Sequence, residues 1–388
     1  MKKNSEKIIV NLIKKTIGAK SHQLHEPLFQ GNEVKYLKDS IKKNFISTSG
    51  PYIEKFEKKI KTFTKSKYAI ALVNCTESIH ISLKVLGIKK NEEVLVPALT
   101  FIGTVNAISY LGAEPHFIDS NLKDFGVDCE KLEKYLNKIV KFKKNKSINK
   151  YTGRIISAII PVHVFGHACE IERIIKIAKK FKLKVVEDAA EALGSFYRKK
   201  HLGTFGDVGC ISFNGNKIIT TGGGGAIITN KKKLVKKIRH LIGTAKSKHA
   251  WEYDHDSVGY NFKMPSLNAA VGLAQIQRIN FYLKHKRNVF QTYSDTFKKY
   301  KGFKIFKENK NNKSNYWLQV LVLDKENKNL KNKILKYAHK RKIYLRPAWK
   351  LISSLKPYKR KQKMNLDGAK SIYEQIINLP SSASLSIK

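Results

Sequence analysis

Two residues with complementary chemistry stand near the middle of the chain. Asp188 closes the apolar run Val185-Val186-Glu187-Asp188. Lys217 follows a second apolar run, in Ser212-Phe213-Asn214-Gly215-Asn216-Lys217, and four glycines, Gly222 to Gly225, come just beyond it. A lysine amine forms a Schiff base with an aldehyde, and a carboxylate keeps a pyridinium nitrogen protonated. The pair therefore suits the two ends of one aromatic aldehyde cofactor, pyridoxal 5'-phosphate (PLP). Each residue alone has a plainer reading, because an acid at a strand end is usually a cap and a lysine is usually a solvated charge. Their combination is more specific. Lys217 is flanked by Phe213, Ile218 and Ile219, which do not make a solvated face. The run of glycines calls for close backbone approach or positive φ.

Alternating elements position these residues. Apolar, strand-like runs fall at 68–73, 93–98, 114–119, 156–162, 184–187, 208–213 and 225–229, and helix-like segments at 76–87, 101–111, 128–140, 169–182 and 231–242. Such alternation predicts an α/β domain of three layers with a mostly parallel sheet. The charged stretch Lys143 to Lys150 reads as a surface connection. Residues 266–300 read as one long amphipathic helix that opens a smaller C-terminal α/β domain. The expected division is an N-terminal arm at 1–50 with one or two helices, a large cofactor-binding domain at 51–265 and a smaller domain at 266–388.

Asn74-Cys75-Thr76-Glu77-Ser78 follows a strand and opens a helix, so free N–H groups and a positive helix end face an anion there. The plainer reading is a helix cap at Asn74 or Thr76, with Glu77 suited to the first turn. Phe101, at a helix start, and His163, in a strand, are by themselves more often structural.

The stretch Ser212 to Gly225 resembles the DegT/DnrJ/EryC1/StrS family of sugar-nucleotide aminotransferases, as do Gly259-Tyr260-Asn261-Phe262-Lys263-Met264-Pro265 and Arg346-Pro347-Ala348-Trp349-Lys350. The likeness runs from His25-Glu26-Pro27 to Asn378-Leu379-Pro380-Ser381-Ser382. Within the family it points to the branch that aminates a 4-keto-6-deoxy-sugar nucleotide on the way to legionaminic acid and related nonulosonates. The resemblance implies the aspartate-aminotransferase-like fold type I, with a three-layer α/β/α large domain and a smaller C-terminal α/β domain. It implies Lys217 as the Schiff-base lysine and Asp188 as the partner of the ring nitrogen. Glu191 stands where the family often has glutamine or histidine close to the ring hydroxyl. Thr76, the N–H of Glu77 and Ser212 would hold the phosphate, joined by Asn261 from the second subunit of a homodimer. Glu77 replaces a usual alanine or serine, so its side chain should point away. Phe101 would stack on the ring, and His163, Tyr316, Arg346 and Trp349 would meet the substrate. The implied substrates are a UDP- or GDP-linked keto-sugar and L-glutamate as amino donor. Dehydratases of the same fold are the alternative, but they typically carry histidine in place of the lysine, so Lys217 argues against that chemistry.

The net charge of +46 arises from 76 basic and 30 acidic residues. It invites a nucleic-acid-binding or regulatory reading. The charges are spread along the chain, however, and no nucleic-acid-binding module accompanies them, which favours composition as the cause. A positive surface still attracts a nucleotide diphosphate. No apolar run reaches 18 residues, and the N-terminus makes a poor secretory signal, so no membrane span is expected. Four scattered cysteines without a CxxC pair fit a reducing cytoplasm and indicate no metal site.

Overall fold

Every residue of three strands, Glu93–Pro97, Val208–Ser212 and Gly225–Thr229, is buried. Strands this uniformly buried must be covered on both faces. The computed structural model, which describes residues 5–18 and 22–387, places them in a nine-stranded mixed sheet. In chain order its strands are β1 (Tyr68–Leu72), β2 (Glu93–Pro97), β3 (Glu114–Ile118), β4 (Val140–Lys143), β5 (Lys146–Asn149), β6 (Ile155–Ile159) and β7 (Lys184–Asp188). After two short strands, β8 (Phe196–Tyr197) and β9 (Lys200–His201), come β10 (Val208–Ser212) and β11 (Gly225–Thr229). The order across the sheet is β1-β11-β10-β7-β6-β2-β3, with the β4–β5 hairpin on β6. Pairs from β10 to β3 are parallel, and β11 runs antiparallel to both β1 and β10.

The register brings three strand ends together. Gly225 lies opposite both Leu72 and Ser212, and Cys210 lies beside Asp188. The ends of β1, β10 and β7 therefore share one rim of the sheet, the carboxyl rim where α/β sheets bind ligands.

The helices of this part begin with α1 (Ser5–Ile17), α2 (Glu33–Lys42) and α3 (Pro51–Thr64), followed by α4 (Cys75–Val85), α5 (Ile102–Tyr110), α6 (Cys129–Ile139), α7 (Ile171–Lys180) and α8 (Lys232–Ile242). Local chemistry sets several of their ends. Pro51 opens α3 after Gly50. The side chains of Asn74 and Asp128 accept backbone N–H groups at the starts of α4 and α6.

Two expectations are corrected. The stretch Lys143 to Lys150 is not a simple connection but mostly the β4–β5 hairpin. Its turn residues Lys144 and Asn145 have φ of 45° and 59°, the left-handed pair a two-residue hairpin turn requires. The long helix expected at 266–300 is two helices, α9 (Ser266–Gln277) and α10 (Ile279–Phe297). Arg278 leaves helical geometry between them. The carbonyl of Leu28 links the two helices, accepting from Gln275 Nε2 at 2.9 Å and Tyr282 Oη at 3.0 Å. The N-terminal region holds two helices, α1 and α2. Its α2 lies against α9, whereas α1 packs on α10 and α11 (Leu330–His339).

The remaining strands are β12 (Phe303–Ile305), β13 (Asn312–Lys313), β14 (Gln319–Leu323), β15 (Arg346–Pro347) and β16 (Ile376–Leu379), the last preceded by α12 (Asp367–Gln375). They form a sheet of order β12-β14-β16-β15, while β13 joins β8 and β9. Strand β14 divides two hydrophobic clusters by the two-residue period of a strand. Val320 and Val322 join the large cluster under the nine-stranded sheet, and Leu321 and Leu323 join the one built with α1, α10 and α11.

Candidate active site

A cleft of about 340 Å³ opens at the shared rim. Its lining includes Thr76, Phe101, Asp188, Glu191, Ser212, Lys217, Trp317 and Trp349. Asp188, the last residue of β7, is 4% exposed. Its Oδ2 accepts from Thr104 Oγ1 at 2.6 Å, and its Oδ1 accepts from the Ala190 N–H at 3.0 Å. Burial pushes the Asp188 carboxyl above its ordinary value, opposed by these hydrogen bonds and by the charge of Lys217. No ion pair to Asp188 exists among the described residues.

Lys217 sits in the loop between β10 and β11. Its Nζ lies 3.3 Å from Glu191 Oε1 and 3.8 Å from the centre of the Trp317 ring. Glu191 Oε2 accepts from the Phe165 N–H at 2.8 Å. Burial raises the Glu191 carboxyl to about 7, against the pull of Lys217 and the Phe165 N–H.

The glycine run has a steric cause at its last member. A Cβ on Gly225 would lie 2.4 Å from the carbonyl carbon of Asn74 and 2.6 Å from the nitrogen of Cys75. Those are backbone atoms of the turn that opens α4, and only glycine lets β11 approach it so closely. That contact fixes the α4 N-terminus, with Thr76, beside Ser212.

PLP fits these residues. A buried carboxylate without a cationic partner faces the cleft, as a pyridinium nitrogen requires. An amine, Lys217, stands in the same cleft. Phe101 is 57% exposed on its wall, an apolar ring free to stack. Two hydroxyl residues and a helix start offer donors for a phosphate.

Other expected residues lie elsewhere. The N–H of Glu77 is taken by Asn74 Oδ1 at 2.8 Å, and its side chain is held along α4 by His80 Nδ1 at 3.0 Å. His163 is fully buried, with Nε2 3.1 Å from Glu187 Oε2 and Nδ1 3.4 Å from Cys169 Sγ. Glu187 also accepts N–H groups from Gly203, Phe205 and Gly206. His163 thus ties down the loop after β9 and does not line the cleft. The alternation of a strand decides this, because Asp188 and Glu187 point to opposite faces. Tyr316, with φ of 47°, turns into the smaller cluster and stacks on Phe290 at 4.1 Å. Arg346 is exposed in β15, paired with Asn378. Trp349 does reach the cleft and stacks on Phe165 at 4.9 Å. Asn261 is exposed outside this chain's cleft and bridges Gly243.

Sequence reasoning passed over Thr104 and Trp317. Thr104, in the first turn of α5, has its hydroxyl 3.0 Å from that of Thr100, which lies just before the helix. Trp317 carried no signal beyond its neighbour Tyr316.

A model of the DegT/DnrJ/EryC1/StrS aminotransferase family matches residues 27–388. The GDP-perosamine synthase of Vibrio cholerae is 32% identical over 361 residues, covering 92% of this chain and 93% of its own. The UDP-4-amino-4,6-dideoxy-N-acetyl-beta-L-altrosamine transaminase of Campylobacter jejuni is 31% identical over 259 residues, covering 66% of this chain and 65% of its own. The structure of Helicobacter pylori PseC, an aminotransferase involved in pseudoaminic acid biosynthesis, superposes with a TM-score of 0.84 at 25% identity, covering 95% of each chain. Fold and site define a PLP-dependent transferase of fold type I. The chain belongs to the DegT/DnrJ/EryC1/StrS aminotransferase family, and its activity is that of a sugar aminotransferase. Among the described residues, no helix is long and apolar enough to cross a membrane, and no His/Cys/Asp/Glu cluster could hold a metal ion.

Proposed function

We propose that this enzyme moves an amino group from L-glutamate to C4 of a 4-keto-6-deoxy sugar linked to GDP or UDP. Glutamate leaves as 2-oxoglutarate, and the ketone oxygen of the sugar is replaced by the amine. The observation that carries the reading is Lys217 in one cleft with the unpaired, buried Asp188. The names of the two relatives, a GDP-sugar synthase and a UDP-4-amino-4,6-dideoxy-sugar transaminase, supply the substrate class. The product then enters surface-glycan synthesis in the cytoplasm, legionaminic-type nonulosonates included.

When bound, PLP supplies an electron-accepting ring for carbon–nitrogen exchange. Asp188 holds a negative charge at the cleft floor, oriented by Thr104 and the Ala190 N–H. Thr76, Ser212 and the start of α4 bind an anion. Phe101, exposed on the cleft wall, would cover the face of the bound ring. Lys217 Nζ takes a proton from the donor's Cα side and returns one on the opposite side of the exchange. Glu191 lies within hydrogen-bonding reach of that amine and holds or releases a proton near neutral pH. Trp349, backed by the buried Phe165, presents an aromatic wall toward the sugar. Asn261 reaches the phosphate of the partner's site in a homodimer.

Incubation with PLP, L-glutamate and either keto-sugar nucleotide tests the reading. Equal amounts of 2-oxoglutarate and 4-amino sugar nucleotide are expected, and Lys217→Ala abolishes both. Turnover retained by Lys217→Ala, or sugar dehydration without nitrogen transfer, refutes it.

A further inference from the structure

The loop bearing Lys217 belongs to the nine-stranded sheet, yet a residue from the chain leading into β14 grips it. Trp317 is 4% exposed and makes two separate contacts there. Its Nε1–H donates to the Asn216 carbonyl at 2.7 Å, fixing the peptide just before the lysine. Its ring face lies 3.8 Å from Lys217 Nζ. The indole is itself held firmly. Its backbone N–H donates to Asn315 Oδ1 at 2.8 Å, and its carbonyl accepts from the fully buried Lys286 Nζ at 2.8 Å. Asn315 Nδ2 donates to the carbonyls of Glu191 and Leu193 at 2.8 and 2.9 Å. The same polar links therefore fix Trp317 and the Glu191 backbone relative to each other.

We propose that Trp317 is a positioning residue for Lys217, fixing its backbone through Asn216 and seating its amine on the indole face beside Glu191. The Lys217 side chain is 13% exposed. A lysine amine with so little exposure is held in place by opposite charge or a π face close by. Glu191 supplies the first and Trp317 the second. This seat receives the amine whenever it is not bonded to another group, and it keeps the nitrogen aimed into the cleft. The proposal rests on Lys217 being the working amine, and its first test does not depend on turnover.

The apoprotein of wild type, Trp317→Phe and Trp317→Leu is labelled briefly with formaldehyde and cyanoborohydride at one pH. Modification of Lys217 is read by peptide mass spectrometry, with exposed lysines as the internal reference. Trp317→Phe keeps an aromatic face and should stay within about twofold of wild type, whereas Trp317→Leu should raise Lys217 labelling by about fivefold or more. In the PLP-loaded enzyme, Trp317→Leu should lower kcat by about tenfold or more, with KM for both substrates within about twofold. Should the leucine variant not fold, Trp317→Met gives the same comparison with a flexible apolar chain in place of the ring. Unchanged Lys217 labelling in the folded variant overturns the proposal. So does a change confined to KM, which assigns Trp317 to the substrate wall. Activity that survives Lys217→Ala overturns the functional reading as well, and so separates the two failures.

Discussion

Replacing Asp188 with asparagine separates charge from shape at the cleft floor. The side chain keeps its volume, and the surrounding hydrogen bonds can reverse. The asparagine oxygen still accepts the Ala190 N–H, whose donor lies 3.0 Å from Asp188 Oδ1. Its NH2 then donates to Thr104 Oγ1, and that hydroxyl turns toward Thr100 Oγ1, 3.0 Å away, where either atom can donate. No buried group is left unsatisfied, so the cost in stability is about 1 kcal/mol or less. Burial already opposes ionisation of Asp188, which reduces the cost further. Chemistry pays far more. A charge pair at ordinary ion-pair distance is worth about 4 kcal/mol at an effective dielectric of about 20, or about a thousandfold in rate. Stopped-flow absorbance of the PLP-loaded Asp188→Asn enzyme mixed with L-glutamate, without sugar, reads the first half of the exchange alone. Its rate constant should fall by about a thousandfold, with melting temperature nearly unchanged. A fall of less than about tenfold in a folded, PLP-loaded variant refutes the electrostatic role of Asp188.

Gly225→Ala should destabilise the protein by about 3 kcal/mol or more, because the new Cβ meets backbone atoms that cannot turn aside. Chemical denaturation measures this, and weaker PLP binding should accompany it through the displaced start of α4. Glu191 gives a pH signature. Its folded value is raised to about 7 from 4.5, so the neutral form favours the fold. Its contribution to apoprotein stability is full below about pH 4.5 and is lost as pH rises through about 7, by about 3 kcal/mol at most. Glu191→Gln removes that loss, and the difference in unfolding free energy between the two proteins from pH 5 to 8 isolates it from other acids. Mixed dimers of Lys217→Ala and Asn261→Arg chains, each inactive alone, should recover up to about half of wild-type activity per heterodimer if the sites act independently. No recovery after verified subunit exchange refutes a site shared across a C₂ dimer.

Short-range pattern carried much of the architecture. Apolar runs marked the strands that bear Asp188 and Ser212, and the glycine run marked the close approach at Gly225. These signals are legible because each depends on neighbours along the chain. The β4–β5 hairpin was hidden because its lysines are typical of both an edge strand and a loop. The break at Arg278 was hidden because the carbonyl of Leu28, which links Gln275 to Tyr282 across it, lies far away in sequence.

The sequence by itself determined the chemistry available: an amine, a carboxylate, a hydroxyl-bearing turn and the glycines that let them meet. Tertiary structure decided which side chains face the cleft. Strand alternation puts Glu187 with His163 on one side and leaves Asp188 for the site. A left-handed backbone at Tyr316 turns that ring into the smaller cluster, while Trp317 next to it reaches Lys217. Such choices depend on the direction of a Cα–Cβ bond within a packed register, and a one-residue difference in direction sends a side chain to the opposite face.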